Sequence, residues 1–332
     1  MPESQLTPAR RAARRRRVER RRRRAVATAT ATLSACIMIV AGAVMTANAN
    51  ARDADPQASG SAPAEVVAET PEPTATPTPT PTPTASDTPD DAEPFCTDEV
   101  TAAIDSGDAE AVVVAAGGGQ AFRDAVVDGR ADDCISLGHP AWDWVVVNKQ
   151  RPLDPIDYAP EVVVPQTFSP IGAHLDEAAA QALDALVVGA RDAGAGEIGL
   201  ESGYRSYETQ VESYNAQVVL RGGTDGADRT SARPGYSEHQ LGLAADLVAC
   251  EGQQCGTIYE FGDTVQGAWV AENAWRYGWI VRYESGTTDI TGYEPEPWHL
   301  RYVGVELATA YTEGGYSTYE EFWELPAAPG YE

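Results

Sequence analysis

Residues 76–84 read TPTPTPTPT, at the centre of a stretch (residues 50–94) dominated by Ala, Pro, Thr, Glu and Asp. Such a stretch lacks the large apolar side chains needed to bury a core, so it is expected to be an extended, semi-stiff, disordered linker. In a polyproline II form, at ~3.1 Å per residue, about 40 such residues would hold a domain on the order of 100 Å from its anchor. A flexible tail without function is the alternative.

The residues before the linker are of two kinds. Residues 1–24 carry 11 arginines, against Glu3 and Glu19, and residues 25–49 carry no charge, with an apolar centre at 36–45. A basic arm followed by an apolar run reads as a membrane-targeting segment with its basic end inside. Three outcomes stay open: a retained transmembrane helix, a signal segment cleaved near Ala47-Asn48-Ala49, or a lipoprotein using Cys36. Beyond residue 24 the chain holds 13 basic and 48 acidic residues. That acidic body excludes nucleic acid as a partner, because phosphate binding needs clustered Lys and Arg.

The chemistry concentrates in GYSEHQLGLAADL (residues 235–247) and EPWHLRYVG (residues 296–304). His239, Asp246 and His299 are three ligands of the kind a catalytic zinc site takes, with a fourth position left open. Glu296, three residues before His299, is placed to take a proton from an attacking water. In a regular strand Glu296 and His299 would face opposite sides, so Pro297 is expected to mark a bulge if both serve one site.

These two segments, with the upstream SGYRS (residues 202–206) and Gln210, are similar to the signature of the VanY-like D-alanyl-D-alanine carboxypeptidases, zinc enzymes that trim peptidoglycan stem peptides. VNKQRPL (147–153), YGWIVRY (277–283) and DITGY (289–293) extend the resemblance over about residues 144–310. It implies His239, Asp246 and His299 as ligands of one zinc ion and Glu296 as general base. It implies Arg205, as a further catalytic and substrate-binding residue, with Gln210 and Ser237 on the substrate. One departure is Pro295, where the family commonly has an aromatic residue before Glu-Pro-Trp-His; the pocket wall is expected to differ there. An L,D-carboxypeptidase or a D-Ala-D-Ala dipeptidase would use the same residues. A wall-binding zinc module without turnover is disfavoured by the presence of Glu296.

The expected fold class is α+β, with a small, largely antiparallel sheet and flanking helices; the resemblance implies the same fold, with the zinc in a groove on the sheet. Helices are expected over 98–116, 120–131, 176–193, 207–221 and 265–277, with strands at 145–147, 198–202, 279–283 and around 298–302. The first two helices belong to a small helical segment, 95–140, too poor in apolar residues for an independent core; the catalytic domain is expected over 141–315. Cys96, Cys134, Cys250 and Cys255 form an even set in a chain read as exported, and the favoured pairing is Cys96 with Cys134 and Cys250 with Cys255. His139 and His174 read as surface residues, and residues 316–332 as a closing helix and a loose end. Together these features point to the bacterial envelope, with the chain membrane-anchored or secreted, peptidoglycan stem peptides as substrate, and the plasma membrane as the partner of the N-terminal segment.

Overall fold

The computed structural model describes residues 94–331. The arm, the apolar segment and nearly all of the linker lie outside the described residues, and among those described no helix is long and apolar enough to cross a membrane.

The sheet has five antiparallel strands: β1 (Glu197–Ser202), β2 (Ala244–Glu251), β3 (Gln254–Cys255), β4 (Trp279–Tyr283) and β5 (Glu296–Tyr302). They lie in the order β1-β2-β5-β4, with β3 folding back onto β2. One core lies where α4 (Glu177–Asp192) packs on this sheet. The apolar positions expected to face inward, Ala179, Leu183, Leu186, Val187 and Ala190, are all buried there. Asp176 caps the helix by accepting a hydrogen bond from the Ala178 N–H, which satisfies one of the otherwise orphaned donors of its first turn.

A second core joins the two ends of the described residues. Helices α1 (Asp98–Ser106), α2 (Ala109–Ala115) and α3 (Gly119–Val127) contribute Val100, Val112, Val113 and Phe122, and α7 (Val305–Glu313) supplies Leu307, Ala308 and Tyr311. The single helix expected over 98–116 is broken after Ser106. Gly107 takes the left-handed conformation (φ 79°) that ends a helix, and the Asp108 side chain caps the next. Cys96 and Cys134 are bonded across this segment, and Cys250 and Cys255 across the β2–β3 hairpin.

The strand expected at 145–147 is not one, although its alternation is real. Val145 and Val147 face the sheet core while Trp144 and Val146 face the second core, so the segment threads between the two. Among the described residues no strand pairs with it; Arg301 donates to the carbonyls of Asp143 and Val145, and Arg151 to that of Val146. The helix beginning at Val265 (α6, Val265–Asn273) tightens into a 3₁₀ turn over Ala274–Tyr277. By contrast α5 (Tyr207–Arg221) has the expected bounds.

The C-terminal residues are not loose. Thr318, Tyr319, Glu320 and Phe322 are wholly buried, Trp323 and Ala328 nearly so. Tyr331 then packs edge-on against Tyr236 and accepts a hydrogen bond from the Arg233 N–H at 2.8 Å.

Candidate active site

Asp246 and His299 are direct partners across β2 and β5, and this register alone sets their side chains together: His299 Nδ1 lies 3.0 Å from Asp246 Oδ1. His239 sits on a 3₁₀ turn, Glu238–Leu241, just before β2. Gly242 closes that turn with φ 77°, a conformation that costs glycine little and lets the chain reverse at once into the strand.

Glu296 reaches the site through an irregularity. On β4 the register passes from Val281 to Tyr283 while its partner strand passes from Leu300 to Glu296, so β5 carries extra residues around Pro297. That bulge turns Glu296 to the side of His299, with its Oε2 3.7 Å from the imidazole Nδ1 and its side chain 13% exposed. A second irregularity, between Leu200 and Ser202 opposite Asp246, lies at the end of β1 that leads to Arg205.

The ligand atoms of His239, Asp246 and His299 lie within 4.8 Å of one another, and all three residues are buried. His239 Nδ1 is held by the Gly203 carbonyl at 2.7 Å, which fixes the proton there and leaves Nε2 with a bare lone pair. Burial, helped by the Arg205 charge, lowers the His239 pKa and keeps the ring neutral. Its Nε2 nevertheless lies 3.2 Å from Asp246 Oδ2, and no hydrogen bond satisfies it. Two buried acceptors this close repel unless a cation stands between them. The arrangement therefore fits a metal ion, and the nitrogen–carboxylate donor set fits zinc.

The sequence motifs did not single out Glu238. Buried beside His239, it accepts from His299 Nε2 at 3.2 Å, so the His299 Nδ1 is the atom left for the metal. Arg282 and Arg301 donate to its other oxygen at 2.9 and 3.3 Å. Burial alone would raise the Glu238 pKa, but the charges of Arg282 and Arg301 and the His299 bond hold it far below the usual carboxylate range. Burial disfavours a charged His299, yet without a cation in the site its bonds to Asp246 and Glu238 overcome that and raise its pKa to about 9; a metal ion on Nδ1 would take the place of that second proton. Burial pushes the Glu296 carboxyl up to about 8 while no cation is present; His299 and Arg205 oppose this, the Asp246 charge adds to it, and a zinc charge beside it would favour the carboxylate.

Arg205 also lines the groove. Its Nη1 donates to Gln210 Oε1 at 3.0 Å, and its Nε is buried without a partner. No ion pair joins it to Glu201 or Glu208 among the described residues; Glu208 accepts from Ser206 instead. Gln210 is fully engaged, since its amide nitrogen donates to the Ala232 carbonyl at 2.6 Å. Ser237 is buried in the groove wall. The other arginines near the motifs are committed elsewhere: Arg233 to Asp228 at 2.8 Å, Arg301 to three carbonyls and Glu238. Pro295 stands exposed on the groove's rim, and His139 and His174 are exposed on the surface. The whole groove encloses about 490 Å³.

Comparison with known proteins agrees with this geometry. The family described as VanY, D-alanyl-D-alanine carboxypeptidase, matches residues 172–305. A Bacillus subtilis (strain 168) protein named as a carboxypeptidase, YodJ, is 37% identical over 202 residues, which cover 59% of this chain and 72% of that one. The D-alanyl-D-alanine carboxypeptidase of Enterococcus faecalis (strain ATCC 700802 / V583) is 38% identical over 176 residues, covering 51% of this chain and 61% of its own length. Among solved structures, the LdcB LD-carboxypeptidase, whose structure was described for its peptidoglycan recognition, superposes with a TM-score of 0.51 at 38% identity, covering 56% of this chain and 87% of that one. The chain belongs to the VanY D-alanyl-D-alanine carboxypeptidase family.

Proposed function

We propose that this chain is a zinc-dependent carboxypeptidase that removes the terminal D-alanine from peptidoglycan stem peptides. The observation that carries the reading is the cluster of His239, Asp246 and His299 ligand atoms within 4.8 Å, with the Glu296 carboxylate 3.7 Å from His299. A zinc ion held there would supply Lewis acidity toward the scissile carbonyl and toward water. Glu296 takes the proton of the attacking water on a carboxylate oxygen and hands it to the leaving amine, so the base is regenerated. Arg205, steadied by Gln210, binds the terminal carboxylate through its unpartnered Nε, because a buried carboxylate needs a charged donor. Ser237 contributes a hydroxyl on the same wall. The two disulfides support work outside the cytoplasm, and residues 25–49 are read as the segment that exports or anchors the domain.

The same residues serve a second reading, an L,D-carboxypeptidase acting on the tetrapeptide, favoured by the likeness to LdcB. Purified protein incubated with a synthetic stem pentapeptide and with the tetrapeptide, followed by mass analysis, separates the two. Release of one D-alanine from the pentapeptide alone supports the first reading, and trimming of the tetrapeptide the second. Glu296→Gln is expected to keep its zinc and lose roughly 10²- to 10⁴-fold in rate, whereas His239→Ala loses both. A Glu296→Gln protein that keeps the parent's rate would sink the assignment.

A further inference from the structure

The groove does not stop at the metal ligands. Its wall continues along α5, where Gln210, Ser213, Gln217 and Arg221 recur at three- and four-residue steps and so share a face. Ser213, Gln217 and Arg221 line the same cavity as Arg205, His239 and Glu296. At ~1.5 Å rise per residue the helix covers ~16 Å from Gln210 to Arg221, which matches about five residues of extended peptide at ~3.3 Å each.

Two side chains on this wall lack partners. Gln217 Oε1 is buried with no hydrogen bond, a cost that a passing N–H donor would relieve. Arg221 is exposed at the end of α5, and no ion pair, hydrogen bond or ring contact engages its guanidinium. Every other arginine among the described residues has at least one of these. Beyond residue 24 this chain carries 48 acidic residues against 13 basic ones, so a cation in a cleft with no carboxylate on it marks a place left for one.

We propose that the α5 wall is a subsite for an acidic peptide. The stretch of substrate before the scissile bond lies along α5, Gln217 Oε1 accepts a hydrogen bond from a backbone N–H of that stretch, and Arg221 pairs with a side-chain carboxylate three or four residues before the terminal one. This rests on the reading that Arg205 holds the terminal carboxylate, which sets the direction in which the peptide runs. Because Arg221 is exposed, the pair is screened by solvent and salt and contributes selectivity rather than bulk affinity.

The test uses two pentapeptides ending in D-Ala-D-Ala, identical except for glutamate or glutamine at the second position. Their affinities are measured by calorimetry on full-length Glu296→Gln protein, and their turnover on the parent. The glutamate peptide is expected to bind about fivefold more tightly at low salt, with the difference shrinking as salt rises and vanishing when Arg221→Gln is added. Equal affinity for the two peptides, binding of neither, or a preference that survives Arg221→Gln would overturn the subsite. If the parent releases D-alanine from neither peptide, the catalytic reading fails, while the binding comparison still decides the subsite.

Discussion

Behind His299 stands Glu238, and its two oxygens divide their work between the imidazole and two arginines. Loss of a carboxylate in that position leaves a ligating ring free to turn, at a typical cost of 10- to 100-fold in metal affinity. Glu238→Gln is therefore expected to lose zinc to a competing chelator about 10 to 100 times more readily, which a chromophoric titration at constant temperature reads directly. The ligands themselves were legible because they fall in two compact motifs. Glu238 lies in one of those motifs yet was not singled out, because its role depends on Arg282 and Arg301, and neither arginine's sequence context points to a carboxylate. Lys149 was equally silent. Its ammonium is buried, donates to the Asp228 and Gly292 carbonyls and sits 4.2 Å over the Tyr293 ring. Burial pulls its pKa down to about 8, against the opposing charge of Asp228. The folded chain thus gives up this proton before the unfolded one does, so the unfolded chain binds more protons between pH 8 and the ordinary lysine value of 10.5. Stability contributed by this group is accordingly lower below pH 8 and rises through that window. Urea titrations at pH 7.5 and pH 10 should show a rise, on the order of 2 kcal/mol, in the parent relative to Lys149→Met.

Among the elements, α4 was legible from its apolar period, and α5 and β4 also have the expected bounds. The failures have identifiable causes. The periodicity of 98–116 runs through Gly107, and only the Asp108 cap beyond it reveals two helices. The alternation at 145–147 reflects two cores on opposite sides, a burial pattern that a strand shares; its carbonyls accept from arginine side chains, and its Val146 N–H donates to the Leu137 carbonyl rather than to a strand. The disulfides differ in what they restrain. Cys96–Cys134 closes a loop of 38 residues and Cys250–Cys255 one of 5. Loop-closure entropy then assigns about 4 kcal/mol to the first and about 2 kcal/mol to the second. Serine pairs at each site, unfolded in urea, are expected to lose stability in that order. A larger loss from the Cys250–Cys255 pair would show that the hairpin, rather than the helical segment, depends on its bridge.

At the level of the whole molecule, the two cores are joined by charge as well as by contact. Glu320, on the one-turn helix Tyr319–Phe322, accepts from both terminal nitrogens of Arg282 at 2.7 and 2.9 Å and from Asn148 at 3.0 Å, and Arg282 in turn holds Glu238. A chain of four groups thus runs from the C-terminal helix to His299. Sequence alone could not show it, since its members are scattered between positions 238 and 320. Removing Glu320 leaves both terminal nitrogens of a buried guanidinium without their carboxylate, with only the Nε bond to Glu238 remaining, so Glu320→Ala is expected to cost about 3 kcal/mol. It should also weaken metal retention, although Glu320 lies outside the ligand set; a variant that unfolds earlier but holds its metal as tightly would show that the link does not reach the site.

The Cys96–Cys134 bond has a mechanical consequence. A pull applied at residue 94 reaches Cys96, and the covalent bridge passes it to Cys134, across the second core rather than into the sheet that carries the candidate ligands. Load entering at that point is borne by the helices of the second core, and the geometry of the candidate ligands on the sheet is spared the strain.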